Sequence, residues 1–455
     1  MIQSEKLTRL TSEPIGRLLW QYSLPAVVGM LVMSLYNVVD RIFIGQVVGP
    51  EAIAGMTITF PVMNITTAVG VLVGVGSSTR ASIVLGAGNL KRAELILGNA
   101  FTLTWVFAAT YIAIFATWIE PILYAFGAGN AALPYARQYM VWVLPGLFFT
   151  NLAFSLNNMM RASGYPNQAM ATMIIGAVTN VCLDAVFVLW LDWGMFGAAL
   201  ATDIAMLASA VFVLRHLCNR KHTLHFRRGT FKPQWGVMRN IFAIGIAPAV
   251  INAASCLINA IINQSLAATG SDMSIGAAGI FVTYTSLIVT FILGISTGLQ
   301  PIIGYNFGAG RLDRLTRGLK LATGVSTVIC VAGSVVGLCL PQYVAMMFTS
   351  DEVLISTTVH CLRTALWAFG VVGFQIIATT FFQSTGAPGK AFMASLARQV
   401  IFMIPFLLWF SSPWGLNLGV DGVWMSFPIS DLCATVVIAA MLLAQLRKIR
   451  NARRQ

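Results

Sequence analysis

The chain has 455 residues, 57% of them hydrophobic and only 9% charged. Soluble domains carry roughly 25% charged residues, so the composition excludes an ordinary water-soluble protein and indicates one that lives in a bilayer. The formal charge of +13 does not indicate nucleic acid, because the basic residues fall in alternate connections between apolar runs, a distribution that sets membrane topology.

Residues 1–16 are polar and show no apolar signal region with a small-residue cleavage site, so the first apolar run is predicted to be an uncleaved anchor. Crossing about 30 Å of hydrocarbon takes roughly 20 residues of helix. Twelve runs meet that demand: 17–44, 52–80, 94–118, 134–160, 168–190, 195–217, 239–267, 275–304, 318–340, 357–383, 391–411 and 419–445. Lys91, Arg92, Arg161, Arg215 to Arg239, Arg311, Arg314, Arg317, Lys390 and Arg447 to Arg454 mark one side. Glu51, Glu120, Asp192, Asp272, Asp351 and Glu352 mark the other. Both termini are therefore expected in the cytoplasm. The seven cysteines lie mostly in apolar runs (Cys182, Cys256, Cys330, Cys433) without paired spacing and read as small buried hydrophobes. His222 and His225 sit in the basic connection 218–238 with no Cys or carboxylate set, so a metal site is not expected there.

The second half of the chain repeats the first. SLPAVV (23–28) aligns with IAPAVI (246–251), which places Pro25 on Pro248. Gly86-Ala87-Gly88 aligns with Gly308-Ala309-Gly310, Ser163-Gly164-Tyr165-Pro166 with Thr385-Gly386-Ala387-Pro388, and Gly194 and Gly197 with Gly419 and Gly422. Four matches in the same order, at a nearly constant offset, indicate duplication. The predicted fold is an all-α polytopic membrane protein with twelve transmembrane helices in two six-helix bundles, a lobe at 1–217, a cytoplasmic linker at 218–238 and a lobe at 239–455. An even number of spans per half gives the copies one orientation and a pseudo-two-fold axis along the membrane normal, with a site expected between the halves near the midplane.

Asp40 and Asp184 lie deep in apolar segments, LVMSLYNVVDRIFIG (31–45) and MIIGAVTNVCLDAVFVLW (173–190). An Asp at the bilayer centre costs roughly 2.5–3.5 kcal/mol even on insertion scales, so such residues face a cavity, a partner or an ion. Their repeat counterparts carry no charge: Asp40 aligns with Asn263, and Asn180 and Asp184 with Phe402 and Phe406. At 1.5 Å per residue, Asp184 lies roughly 9 Å inside the outer end of its run and Thr202 roughly 10 Å inside the next. Asn180 and Asp184 share one helix face at i, i+4, as do Tyr36 and Asp40. A cluster of Asp40, Asn180, Asp184 and Thr202 would be a hard-oxygen site. It would hold Na⁺, or the two carboxylates would hold a proton between them; the spacing leaves both readings open.

These residues resemble a known family. SLYNVVDRIFIG (34–45), the Gly-x-Gly turns and Asn-x-x-x-Asp on the fifth run, within two six-span halves, are similar to multidrug and toxic compound extrusion (MATE) transporters, in particular the DinF- and MepA-like branch. The chain departs from the NorM branch, which places acidic residues in its second half. The resemblance implies an antiporter, not an enzyme, that admits H⁺ or Na⁺ at Asp40, Asn180, Asp184 and Thr202 and exports organic, often cationic amphipathic compounds by alternating access. It implies no cofactor beyond the coupling ion, a monomer in the bacterial inner membrane, and a kink at Pro25 that bends the first span on cation binding. Proline by itself removes a helix hydrogen bond and clashes with the preceding turn.

Met33, Tyr36, Asn37, Phe154, Asn157, Met159, Asn259, Asn263, Tyr284, Phe381 and Gln383 are candidates to line the substrate cleft, since thioethers adapt in shape and aromatic faces attract cations. Asp203 points about 100° away from Thr202 and is read as structural or as lining another surface. Asp431 has no evident partner in the sequence. Arg41, Arg137 and Arg363 are cations that topology leaves unexplained; Arg41 is read as pairing with Asp40 or reaching to the outer surface. Two alternatives remain: a lipid-linked saccharide flippase of the same superfamily, which would need a cationic cleft, and an intramembrane lipid-modifying enzyme, for which no HExxH or paired-His arrangement at usable spacing is found.

Overall fold

The structure is a computed structural model that describes residues 2–47, 50–126, 129, 133–270, 272–412 and 415–452. Among these the regular elements are all helical. In chain order they are α1 (Ile2–Ser12), α2 (Ile15–Val47), α3 (Pro50–Gly86), α4 (Leu90–Thr117), α5 (Ile119–Ala125), α6 (Leu133–Ala162), α7 (Pro166–Asp184), α8 (Gly194–Cys218), α9 (Trp235–Thr269), α10 (Asp272–Gly308), α11 (Leu312–Cys339), α12 (Pro341–Met346), α13 (Glu352–Ala365), α14 (Val372–Ser384), α15 (Pro388–Leu396), α16 (Ile404–Ser411) and α17 (Gly419–Ala452). Two π-helical runs interrupt this series, Ala185–Trp190 directly after α7 and Ala397–Met403 between α15 and α16.

Local sequence explains the boundaries. Asn89 caps α4 by accepting from the Arg92 amide at 3.0 Å, and Asp351 caps α13 by accepting from the Leu354 amide at 2.8 Å. Pro166 and Pro388 open α7 and α15, where a missing amide costs nothing. α2 and α9 run through Pro25 and Pro248 as single helices. The repeat extends to the short helices, since α5 begins at Ile119 and α12 at Pro341, positions in the same register as Gly86 and Gly308.

Among the described residues eleven helices are long and apolar enough to cross a bilayer, and a bent pair makes a twelfth if it is one span. That pair corrects the expectation of one helix over 357–383. α13 ends at Ala365, a 3-10 turn covers Phe369–Val371, and α14 leaves at 58°. The glycines in AFGVVGF permit the break: a Cβ on Gly373 would lie 2.6 Å from the Ser326 backbone, so the chain presses directly onto α11.

Packing divides the chain into two compact units, 1–249 with 304–311, and 250–303 with 312–455. The first is built around Val73, Ile96, Leu97, Leu156 and Val213, all essentially without exposed surface. The second is built around Leu266, Ile292, Leu362, Leu366 and Trp424. The first unit holds both Gly-Ala-Gly turns, with Gly88 at φ 78° and Gly310 at φ 68°, a conformation in which an L side chain is strained. A Cβ on Gly86 would lie 2.0 Å from the Tyr305 carbonyl oxygen, and one on Gly308 would lie 1.9 Å from that of Ile83. The repeat register turns one contact into the other, Ile83 corresponding to Tyr305 and Gly86 to Gly308. These glycines are fixed by close backbone approach.

The connection 218–238 is docked and not free in solvent. Leu224 is fully buried, Phe226 meets Phe101 edge to face at 5.5 Å, and the Gln234 amide donates to Asn99 Oδ1 at 2.7 Å. Arg227 Nε lies 3.0 Å from buried Glu94. The His222 ring stacks on His216 at 3.8 Å, with its Nδ1 2.7 Å from the His216 carbonyl. Of the cysteines, Cys330 is buried and Cys433 half-buried, whereas Cys182 lies exposed on its helix, a correction to its reading as a core residue; the Cys256 side chain is outside the described residues.

Candidate functional site

α2, α7 and α8 pack on one another in the first unit and bring the four predicted site residues together. Asp40 lies on the buried face of α2, one turn after Tyr36 and one turn before fully buried Ile44. Asn180 and Asp184 occupy the last turn of α7, and Thr202 faces them from α8. Asn180 Nδ2 donates to Thr202 Oγ1 at 3.3 Å. Asn180 and Asp184 have no exposed surface and Asp40 has 6%. The carboxylates of Asp40 and Asp184 are near enough for their charges to interact.

The acceptors in this cluster exceed the donors. Both Asp184 carboxylate oxygens and Asn180 Oδ1 are buried without a hydrogen-bond partner among the described residues. A buried polar atom left unmade costs about 1–3 kcal/mol. Three such oxygens together favour anything positive that enters: a proton shared by the carboxylates, or a small hard cation ringed by oxygen. Among the described residues no group of three or more His, Cys, Asp and Glu forms a metal-binding set.

Sequence reasoning missed Tyr139. Tyr139, on α6, is buried next to the cluster, near enough to interact with Thr202 and with the charges of both carboxylates. A single tyrosine among the many polar residues of α6 gave no signal. Asp203 is lodged against Gly146 of α6, where an added Cβ would come within 1.9 Å of its Oδ1. Asp431 does have a partner: Arg398 Nε donates to its Oδ1 at 2.8 Å. Arg137 pairs with Glu120 at 3.1 Å on an exposed face. The Arg41 side chain lies outside the described residues.

The predicted cleft residues separate into groups. Met33 and Tyr36 are half-buried, while Asn37 is exposed and donates to the Met33 carbonyl at 2.7 Å. Phe154, Asn259 and Asn263 present exposed surface. Met159 and Phe381 have none, Met159 because it belongs to the first unit's apolar core, so neither is available to a ligand here. Asn157 is buried, donating to the Ala169 carbonyl at 2.6 Å and accepting from Arg161 Nη2 at 3.0 Å. Gln383 is buried as well, and the Tyr284 hydroxyl is spent on the Gly333 carbonyl at 2.7 Å.

The MatE family model matches the chain twice, over residues 25–186 and 247–409. The multidrug export protein MepA of Staphylococcus aureus (strain NCTC 8325 / PS 47) is 26% identical over 450 residues, covering 98% of this chain and 97% of that protein. An FAD transporter of Shewanella oneidensis is 28% identical over 448 residues, covering 96% of each. A solved MATE structure in the bent conformation superposes with a TM-score of 0.93 at 22% identity over 99% of both chains. An outward-facing multidrug resistance MATE transporter of the MOP superfamily gives 0.90 at 23% identity, over 97% of this chain and 98% of that one; at this identity the likeness establishes the fold. These relatives are transporters and not enzymes, which removes the enzymatic alternative. The two family matches begin at positions 25 and 247, in the register of the internal repeat, and this chain belongs to the MatE family of multidrug export transporters.

Proposed function

We propose that the protein is a cation-coupled antiporter, which admits H⁺ or Na⁺ at Asp40, Asn180, Asp184 and Thr202 and exports organic, often cationic amphipathic compounds. The observation that carries this reading is the pair of neighbouring carboxylates, buried in a bilayer protein, with unpartnered oxygens on Asp184 and Asn180. Such a site has a strong preference for being filled by positive charge, and filling it changes the electrostatics of three helices at once.

Transport would proceed by alternating access of two six-helix lobes related by a pseudo-two-fold axis, in a monomer of the bacterial inner membrane with both termini in the cytoplasm. Pro25 would allow α2 to bend when the cation binds, because proline has already removed one hydrogen bond from that helix. A potential of 100 mV supplies about 2.3 kcal/mol per charge moved. An electroneutral exchange of one cation for another gains nothing from that potential and is driven by the ion's concentration gradient alone. Relatives of similar identity are named for multidrugs and for FAD, so the lining, rather than the fold, sets the substrate.

Ethidium efflux from vesicles under an imposed pH gradient, compared with an imposed Na⁺ gradient, tests the reading and identifies the ion. One gradient should drive efflux, and Asp184→Asn should reduce it to background with the protein still in the membrane. Normal efflux by Asp184→Asn would overturn the coupling assignment.

A further inference from the structure

The second unit contains a cavity of about 290 Å³ that the coupling site leaves unexplained. It lies among α9, α10, α17 and the π-helical run Ala397–Met403, which supplies Arg398 and Gln399 to its wall. Single π turns inside α-helices are rare and concentrate at functional sites. The repeat counterparts of these two residues are Gly176 and Ala177, so the polar pair is particular to this half.

The geometry of the ion pair gives the cavity a polarity. Arg398 and Asp431 both line the cavity, and Arg398 is the more exposed of the two, at 28% against 6%. Arg398 spends Nε on Asp431 at 2.8 Å, and its Nη atoms bond to no other described residue. Three of the hydroxyls around the cavity are already committed as donors. Ser255, Thr285 and Ser430 each donate at 2.8 Å to a carbonyl of their own helix, those of Ile251, Phe281 and Phe427. Here Arg398 lines the cavity, and the part of its planar fork that matches carboxylate geometry is not taken up by Asp431.

The rest of the wall fits an apolar body. Phe281 and Phe427 meet edge to face at 4.8 Å, beside Ile258, Ile262 and Met403. Ligand cavities run from roughly 300 to 1,000 Å³, so this one, at the lower end, suits one or two fused rings and excludes a dinucleotide.

We propose that this cavity is a binding site for small aromatic carboxylates, with the acid on the Nη edge of Arg398 and the ring against Phe281 and Phe427. The proposal widens the substrate range to organic acids and zwitterions, and rests on the export reading only for the claim that the bound acid is carried. Asp431 partly neutralises Arg398, which sets the sign of one test: removing its charge should strengthen acid binding, whereas a site for cations would be weakened.

Calorimetric titration of the full-length protein in detergent with naphthaleneacetate, its methyl ester and ethidium decides the matter. The acid should bind about tenfold tighter than the ester. Arg398→Gln combined with Asp431→Asn should abolish that preference and leave the ester unchanged, and Asp431→Asn alone should tighten the acid roughly threefold. If the double variant fails to reach the membrane, Arg398→Lys, which keeps the charge and loses the fork, should weaken the acid alone. Equal binding of acid and ester, an unaffected double variant, or weakened acid and ethidium binding in Asp431→Asn would overturn the proposal. Asp184→Asn should bind naphthaleneacetate as the unaltered protein does while failing to export ethidium, so failure of the coupling site and failure of this cavity are distinguishable.

Discussion

Two spans related by the internal repeat, 166–190 and 388–411, show what duplication kept and what it released. Both open on a proline after a Gly-Tyr or Gly-Ala step, and both contain a π-helical run. At equivalent positions one carries Asn180 and Asp184, and the other carries Phe402 and Phe406, whose rings stack at 6.3 Å and 15°. The charges of the second span sit elsewhere, at Lys390 and Arg398, both of which have partners, whereas the Asp184 oxygens have none among the described residues. The frame is shared. The first copy leaves negative charge unsatisfied and poised for a cation, and the second compensates the Arg398 charge internally and stacks aromatic rings where the first is polar.

The comparison breaks most visibly at the compensated pair. Arg398→Met strands a buried carboxylate and should cost about 3–5 kcal/mol, read as a lowered unfolding midpoint in detergent. Adding Asp431→Leu should restore most of it, because no charge is then left alone. Phe406→Asp places a carboxylate at the position equivalent to Asp184 without its oxygen-rich neighbours. It should cost roughly 2.5–3.5 kcal/mol and, combined with Asp184→Asn, should fail to restore dye efflux. Gly146→Ala pushes a methyl group onto the Asp203 carboxylate and should destabilise by about 1–3 kcal/mol, seen in the same unfolding assay. Thr202→Val removes the acceptor for Asn180 together with one oxygen of the proposed cation site and should cost about 1 kcal/mol, measurable as a several-fold weaker apparent affinity for the coupling ion with transport retained.

Much of this architecture was legible because bilayer chemistry leaves strong marks on sequence. Apolar length located the spans, and the paired Gly-x-Gly and Gly-x-Pro motifs exposed the repeat, since backbone approach and positive φ tolerate only glycine. Asp40 and Asp184 stood out because charge in hydrocarbon needs a reason. Other features left weaker marks. The break at 366–371 is written in glycines that pack against α11, and without knowing what they face they read as continuous helix. Tyr139 reaches the site through a tertiary approach that spacing does not encode. Asp431 seemed partnerless because Arg398 lies 33 residues away on another span. The connection 218–238 read only as a basic cytoplasmic linker because Leu224, Phe226 and Phe231 are too few to register as an apolar run.

A π turn is what remains when one residue is slipped into an α-helix, and each residue of an α-helix accounts for about 100° of rotation. Deleting a single residue from 185–190 or from 397–403 would therefore swing everything beyond the cut by that angle while leaving composition almost unchanged. Which face of the downstream helix looks inward is thus set by chain length rather than by side-chain identity. Homologues that differ by one residue in these short stretches would present different chemistry from nearly identical sequence.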